Sequence, residues 1–279
     1  MPKWVMNKLV LKGKEVGRVA DEILSRDKDN GKEYMDFNNI IRMPDSLNIV
    51  CGSCTAPAAE YYLSSINPNN LDVSGEKVSE KEYGKILDKI NQCYGERKLF
   101  GRNEFGVNGE DFDTLGGREG YLNYGKTIIE NRMNYGHSTW YEWSRENWGV
   151  KWNASSSRVQ RDLNEVTIFF ETPWEPVTQL MSKIGEKYKD IRLEYDASEE
   201  QTAFYEKRMV MENGKITEGI VYEPDSKEAM EHFMKIWEVE NEFVYDPLTD
   251  NYISKYAEKE KGKEEKTSVK EKEGHERES

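Results

Sequence analysis

Two strand–helix patterns, one at the start of the chain and one near residue 165, constrain the fold more than any other sequence feature. The first joins a dense apolar segment, KWVMNKLVL, to an apolar stripe at helical spacing between Val16 and Leu24. The second reads strand, helix, strand across NEVTIFFETPW, EPVTQLMSKIGEKY and DIRLEYD. With a further early strand, EYMDFNNIIRMP, ended by Pro44, this order predicts a split β-α-β sheet, the ferredoxin-like fold.

The segment between the two patterns is long and mostly helical in character, which predicts an α+β protein with a large insertion between the halves of its sheet. After the second pattern, Asn213-Gly214 is a strong hairpin signal, and a helical stripe follows it. The expected parts are a discontinuous ferredoxin-like core at 1–44 and 158–200, a helical insertion lobe at 45–157, a C-terminal hairpin–helix extension at 201–255, and a disordered charged tail at 256–279.

Charge and hydropathy exclude several classes of function. The chain of 279 residues has a net charge of −13, and its folded part lacks a Lys/Arg cluster, which argues against direct binding of nucleic acid or an anionic membrane. No apolar run approaches the roughly 20 residues of a membrane span, and the start lacks a signal-peptide pattern. Three cysteines fit a reducing compartment better than a disulfide framework. We therefore expect a cytoplasmic protein.

The segment WYEWSRENWGVKWNA holds four of the seven tryptophans. Ser138 is the expected helix N-cap before it, and Gly149 is the expected left-handed C-terminal residue. One interpretation is packing, with Trp143 and Trp148 buried at a junction between lobe and sheet. The alternative is a binding surface, because tryptophan is enriched at interface hot spots. The candidate binding residues are Trp140, Trp143, Asn147, Trp148, Lys151 and Trp152.

Four motifs occur in a fixed order: PKWVMNKLVLKG, FNNIIRMPDSL, ENWGVKWNA and FFETPWEPV. Together they resemble the family of phage, prophage and plasmid proteins with a YubB-type ferredoxin-like domain, over roughly residues 1–200. The resemblance implies a protein of a mobile genetic element with a ferredoxin-like core. It supplies no catalytic residues. The chain departs from the family's typical Pro-Asn-Trp-Cys start at Lys3 and Val5, so that cysteine is not an essential nucleophile here.

The strongest isolated chemical motif is Cys-Gly-Ser-Cys at Cys51–Cys54. It lies where a helix is expected to begin, which favours thiolate and so a redox function, but the surrounding sequence lacks other thioredoxin-like features. No second ligand pair has zinc-site spacing, so no metal site is expected. Gly120–Thr127 matches the spacing of a phosphate-binding loop, but its bulky residues and the lack of a preceding strand argue against nucleotide binding.

These observations favour a non-enzymatic protein-interaction module that acts on a host protein such as a defence component. We expect no cofactor and no catalytic set, and the oligomeric state stays open. Two alternatives remain: a thiol-based redox enzyme using Cys51 and Cys54, and a structural or assembly protein of the mobile element.

Overall fold

The computed structural model describes residues 2–94 and 115–255, with the side chains of residues 91, 93 and 94 excepted. The predicted charged tail at 256–279 therefore lies outside the described residues. The chain divides into two compact units. Unit 1 comprises the residues up to Ile40 together with those from Trp152 onward, and unit 2 is the continuous stretch Ile41–Lys151.

Unit 1 is built on a six-stranded antiparallel sheet whose strands lie in the order β4-β5-β1-β6-β7-β8. Two short hairpins and three α-helices accompany the sheet in the described part of unit 1. Its strands are β1 (Trp4–Lys12), β2 (Leu24–Arg26), β3 (Glu33–Met35), β4 (Ser155–Arg161), β5 (Glu165–Pro173), β6 (Arg192–Glu199), β7 (Glu206–Glu212), β8 (Lys215–Val221), β9 (Phe243–Asp246) and β10 (Asn251–Ser254). Its helices are α1 (Val16–Ile23), α6 (Thr178–Lys187) and α7 (Lys227–Trp237).

The order of β1, α1, β4, β5, α6 and β6 along the chain, with their spatial order β4-β5-β1-β6, is the ferredoxin-like topology. Strand β1 lies between β5 and β6, which are joined through α6, so β1 splits that β-α-β unit. The fold class predicted from the sequence is confirmed. The 41–151 segment enters the chain between β3 and β4, and β7, β8 and α7 extend the same unit.

The alternation of side chains along β6 places helices on both faces of the sheet. Tyr195, Leu193 and Ala197 are buried on one face, where the Tyr195 hydroxyl accepts a hydrogen bond from the backbone nitrogen of Val177 at the start of α6. Asp196 faces the other side, toward His232 on α7. Helix α7 therefore covers the face opposite α6.

The prediction of an early strand that ends at Pro44 is wrong beyond Met35. Strand β3 stops there, and Phe37–Asn39 forms a 3₁₀ turn in which the Asp36 side chain accepts from the backbone nitrogen of Asn38. Strands β2 and β3 form a separate two-stranded hairpin. The strand that completes the ferredoxin-like core is β4 instead, whose sequence SSSRVQR has a single apolar residue.

The hairpin predicted around Asn213-Gly214 is confirmed. Asn213 has φ 52° and Gly214 φ 74°, the two positive values that a tight hairpin turn of this kind requires. Strands β7 and β8 flank the turn and pair antiparallel, with one irregularity in register between Val210 and Met211.

Unit 2 is helical in its described part. Its helices are α2 (Thr55–Ile66), α3 (Glu80–Tyr94), α4 (Gly117–Tyr135) and α5 (Trp140–Asn147). Helix α4 is capped at its C-terminal end by Gly136, with φ 77°. Gly149 has φ 84° after α5, as the sequence predicts. The N-cap of α5 is Thr139, not the predicted Ser138. Ser138 is buried and its hydroxyl accepts from the Arg132 guanidinium.

Candidate functional site

Two of the predicted binding residues, Trp143 and Trp148, are buried within unit 2, with 6% and 4% of their surfaces exposed. Their rings meet edge to face, with centroids 5.4 Å apart. The Trp148 indole nitrogen donates to the backbone oxygen of Ile41, and the Asn147 amide donates to the backbone oxygen of Trp143. The predicted burial of both rings is confirmed. Buried indole rings present no surface to a partner, so Trp143 and Trp148 have a packing role.

Trp140 and Lys151 are half-buried and contact one another through a cation–π geometry. The Lys151 ammonium lies 6.0 Å from the centroid of Trp140 and 5.4 Å from that of Tyr141. Trp152, by contrast, belongs to unit 1 and is 39% exposed. The six candidate binding residues are therefore divided between the two units, and Trp152 is the exposed member of the set.

The thiols of Cys51 and Cys54 are free and differ in access, because Cys51 is exposed and Cys54 is half-buried. Cys54 is the residue before α2, and its sulfur lies 4.0 Å from the Tyr124 hydroxyl. Among the described residues, no group of three His, Cys, Asp or Glu side chains is placed to hold a metal ion. Gly120–Thr127 lies inside α4, and a helix interior offers no loop of backbone N–H groups for a phosphate.

Exposed aromatic rings gather at the end of the sheet where β1 begins and β5 and β6 end. Trp152, Trp174 and Phe204 are 39%, 45% and 47% exposed, and we call these three residues the aromatic patch. The rings of Trp152 and Trp174 are 5.6 Å apart and tilted by 43°. The Lys3 ammonium lies 5.6 Å from the Phe204 ring, and the Lys3 backbone oxygen accepts from the nitrogen of Trp174. Lys3 thus connects the members of the patch.

Trp174 holds its exposed ring on a backbone that a bulky residue seldom adopts. Its φ is 66°, in the left-handed region, where a side chain with a Cβ costs about 1–2 kcal/mol. Such strain persists only where the surrounding structure fixes the backbone, and it concentrates at functional positions. Trp174 is therefore the member of the patch whose conformation most needs an explanation beyond packing.

A buried polar cluster fixes the loop that carries Trp174. The Thr172 hydroxyl donates to the backbone oxygen of Glu175 over 2.8 Å and accepts from the Asn7 amide over 2.9 Å. Tyr195 donates its hydroxyl proton to the Asn7 side-chain oxygen, and the same hydroxyl accepts from the nitrogen of Val177 over 3.0 Å. Asn7, Thr172 and Tyr195 are at most 1% exposed. Hydrogen bonds from buried side chains therefore hold the loop on both sides of Trp174.

A second cluster, on the opposite face of the sheet, surrounds His232 of α7. One ring nitrogen, Nδ1, contacts the Glu206 carboxylate, and the other, Nε2, lies 3.2 Å from Asp196 Oδ1. Asp196 also accepts from Arg208 over 2.9 Å, and the Tyr222 ring packs on the imidazole at 4.8 Å. His232, Glu206 and Asp196 are all less than 9% exposed. We call these five residues the His232 network.

Burial and hydrogen bonding shift the pKa values of the network's His and carboxyl groups in opposite directions. Burial lowers the pKa of His232, but the hydrogen bonds to Asp196 and Glu206 raise it, and the net pKa lies above its ordinary value. Burial raises the pKa of Asp196, yet the bonds from His232 and Arg208 bring it below its ordinary value. Burial raises the pKa of Glu206, and His232 offsets only part of that rise.

A cavity of about 340 Å³ lies beside the network. Its walls also include Glu228, Glu231 and Lys235 of α7. Both nitrogens of His232 face carboxylates, so neither is available to take a proton from a molecule in the cavity. The arrangement is suited to fixing α7 on the sheet, and it does not form a general acid–base site.

Sequence reasoning missed Trp174, Phe204 and His232 as residues of interest. Prolines at 173 and 176 flank Trp174 and signal a loop, which is the one local hint of an exposed ring. The partners of His232 lie on two strands up to 36 residues away, so no spacing rule connects them.

Comparison with known proteins supports the fold. Residues 147–240 match the family model described as "Ferredoxin-like domain in Api92-like protein". This match spans about a third of the chain, from the end of α5 to just after α7. No curated protein matches the chain. No helix of the described part is long and apolar enough to cross a membrane.

One solved structure is similar over most of its length, a protein api92 from Yersinia pseudotuberculosis. The two share 14% identity, and the alignment covers 80% of this chain and 99% of that one with a TM-score of 0.36. At that score the likeness carries no argument about function.

Proposed function

We propose that the chain is a non-enzymatic protein-interaction module that binds a protein partner through the aromatic patch. The observation that carries this proposal is Trp174, an indole held exposed on a left-handed backbone by a buried hydrogen-bond cluster. Tryptophan and phenylalanine are enriched in the cores of protein interfaces, and contiguous exposed apolar surface marks such sites.

The kind of partner follows from charge. Lys3 is a cation next to the patch, and it is already paired with Glu199 over 3.0 Å. With a net charge of −13, the chain repels phosphate backbones, so stacking of nucleic-acid bases on the patch is disfavoured. A protein partner with an apolar pocket buries the exposed rings of the patch without that repulsion.

The origin and target form the second half of the proposal. The resemblance to YubB-type proteins of phages, prophages and plasmids supports a mobile genetic element as the source. Such a protein acts inside the host, and we propose that its partner is a host protein, with a component of a defence system as one form. The alternatives are an assembly protein of the element and a redox enzyme that uses Cys51 and Cys54.

An affinity capture from host lysate tests the patch directly. The bait is the full-length chain, compared with Trp174→Ala and Phe204→Ala. The matched control is Leu163→Ala, which removes a large side chain that is 91% exposed and outside the patch. We expect one stoichiometric host protein with wild type and the control, and at least a tenfold loss of that protein with each patch variant. Equal capture by all four baits would reject the patch.

A thiol titration separates the redox alternative. A pKa well below the ordinary value of about 8.5 for Cys51 or Cys54, abolished by Cys→Ser substitution, would favour it. Retained partner capture by Cys51→Ser/Cys54→Ser would leave the interaction proposal intact.

A further inference from the structure

In the part of the chain that the structure describes, strand β8 leaves one edge of the six-stranded sheet open. It is the last strand in the spatial order, and all seven of its residues are exposed. Ile216, Ile220 and Val221 are 58%, 37% and 71% exposed. Within the described residues, only β7 pairs with β8, so the outer edge presents backbone N–H and C=O groups together with apolar side chains.

The opposite edge of the same sheet is covered. The backbone nitrogen of Met35 in β3 donates to the Ser157 hydroxyl of β4 over 3.1 Å, and Arg161 of β4 pairs with Glu33 over 2.9 Å. The β2–β3 hairpin therefore lies along β4 and blocks strand addition there. Natural sheets usually protect their edges, and the described residues protect a single edge of this one.

An apolar hollow lies directly beside the open edge. Its volume is about 210 Å³, and its walls include Tyr195, Met209, Ile216, Gly219 and Val221. A strand added to β8 would direct alternate side chains over this hollow, because side chains alternate between the two faces of a sheet. The edge thus offers backbone hydrogen bonds and a place for apolar side chains, the two components of strand addition.

We infer that β8 pairs antiparallel with β8 of a second copy of this chain, across a two-fold axis. In such a pair the start of each strand meets the end of the other. Lys215 begins β8 and Glu223 follows its end, and both side chains are exposed, so the symmetric arrangement brings together two Lys215–Glu223 pairs. This charge complementarity between the two ends of one strand favours a second copy over an unrelated strand.

The middle of the strand tolerates the same arrangement. In this register Gly219 faces its own copy on the axis, and Glu218 lies opposite Ile220 of the second copy. Glu218 also accepts from Arg208 Nε over 2.9 Å, which offsets its charge. Gly219 has no side chain to hinder the approach of the second backbone. Because the described part of the sheet has one open edge per chain, pairing closes after two copies and does not propagate into a fibre.

Sedimentation equilibrium of the full chain, from about 1 to 100 µM, tests the dimer, since a single strand interface is small and dissociates in this range. The variants are Lys215→Glu, Glu223→Lys and the double exchange Lys215→Glu/Glu223→Lys. Lys28→Glu makes the same change in net charge as Lys215→Glu, at an exposed loop residue far along the chain from β8, and is the control for that variant.

We expect wild type and control to dimerise, each single variant to raise the dissociation constant at least tenfold, and the double exchange to restore it. A wild-type chain that stays monomeric at 100 µM overturns the inference, even if it binds a strand of another protein. So does a dimer that both single variants leave unchanged. Because Trp174→Ala should not alter this dimer, failure here is distinguishable from failure of the aromatic patch.

Discussion

The indole nitrogen of Trp148 donates a hydrogen bond to the backbone oxygen of Ile41 over 2.9 Å, across 107 residues of sequence. These residues lie near the two ends of unit 2, so a single side chain ties together the segments through which the chain enters and leaves that unit. The Trp143 ring packs against the same indole edge to face. Trp143 and Trp148 of the tryptophan-rich segment thus serve to join the two ends of unit 2.

Replacing Trp148 with alanine should lower the free energy of unfolding by about 3–5 kcal/mol, because a buried ring is lost and a cavity remains. Trp148→Phe keeps most of the apolar contact and should cost about 1–2 kcal/mol through the lost hydrogen bond. Urea titration followed by far-UV circular dichroism measures both. The half-buried Trp140→Ala is the control and should cost less than Trp148→Ala. A midpoint unchanged by Trp148→Ala would contradict the packing role.

Stability should fall as the pH rises above about 6.5, the ordinary pKa of histidine. The folded pKa of His232 is raised, so its contribution is complete below 6.5 and is lost as the pH rises through the folded value. The raised pKa of Glu206 acts in the same direction from a lower pH. Unfolding free energies between pH 6 and 9 should show this decline, and His232→Gln should flatten it.

The contribution of Asp196 has the opposite sign. Its pKa is lowered in the fold, so its stabilisation is present above about 3.8 and is lost as the pH falls through the folded value. Asp196→Asn should therefore reduce the loss of unfolding free energy at acid pH.

His137→Gln removes a histidine of unit 2 and is the control for the decline of stability at alkaline pH. An alkaline slope that His232→Gln leaves intact would exclude the network as its source.

Gly125 should not tolerate a side chain, because a Cβ there would overlap the backbone oxygen of Ala58 on α2. Gly125→Ala forces α2 and α4 apart and should destabilise the chain by about 1–3 kcal/mol. Gly84→Ala in α3 is the matched control, since no atom lies within 4 Å of the point where its added methyl group would stand. That variant should stabilise by about 0.5–1 kcal/mol through helix propensity. Equal effects of the two substitutions would refute the close packing.

Two substitutions of Trp174 separate its strain from its ring. Trp174→Ala removes the indole and keeps a Cβ on a left-handed backbone, whereas Trp174→Gly removes both. The glycine variant should be more stable than the alanine variant by about 1 kcal/mol, and both should lose the partner equally. Thermal unfolding and affinity capture measure the two properties. An alanine variant as stable as the glycine variant would show that the backbone is relaxed at this position.

The strands and helices with strong apolar periodicity could be predicted from the sequence. The apolar residues of β1, β5 and α6, and the Asn213-Gly214 turn, each carry a local signal that the structure follows. Strand β4 could not be predicted, because its sequence is polar and its pairing is decided by β5 beside it. The apolar residues Phe37 and Ile40 imitate a strand, but the Asp36 side chain turns the backbone there.

The candidate site depended on contacts that no spacing rule contains. Trp152 was among the predicted binding residues, but its neighbour Trp174 lies 22 positions later, at the end of another strand. Phe204 joins the patch through its contact with Lys3, although Lys3 precedes β1 in the chain and Phe204 follows β6. Local patterns predict which segments form strands, and only the sheet order determines which strand ends meet.

The central position of β1 has a consequence for the order in which the protein forms during synthesis. β1 leaves the ribosome before the other strands of its sheet, yet Trp4 pairs with Pro173 and Val5 with Glu199. Every residue of unit 2 is made before either partner strand exists. This central strand therefore waits longest for its hydrogen bonds, and we expect its apolar face to be the segment of the nascent chain that most depends on chaperones.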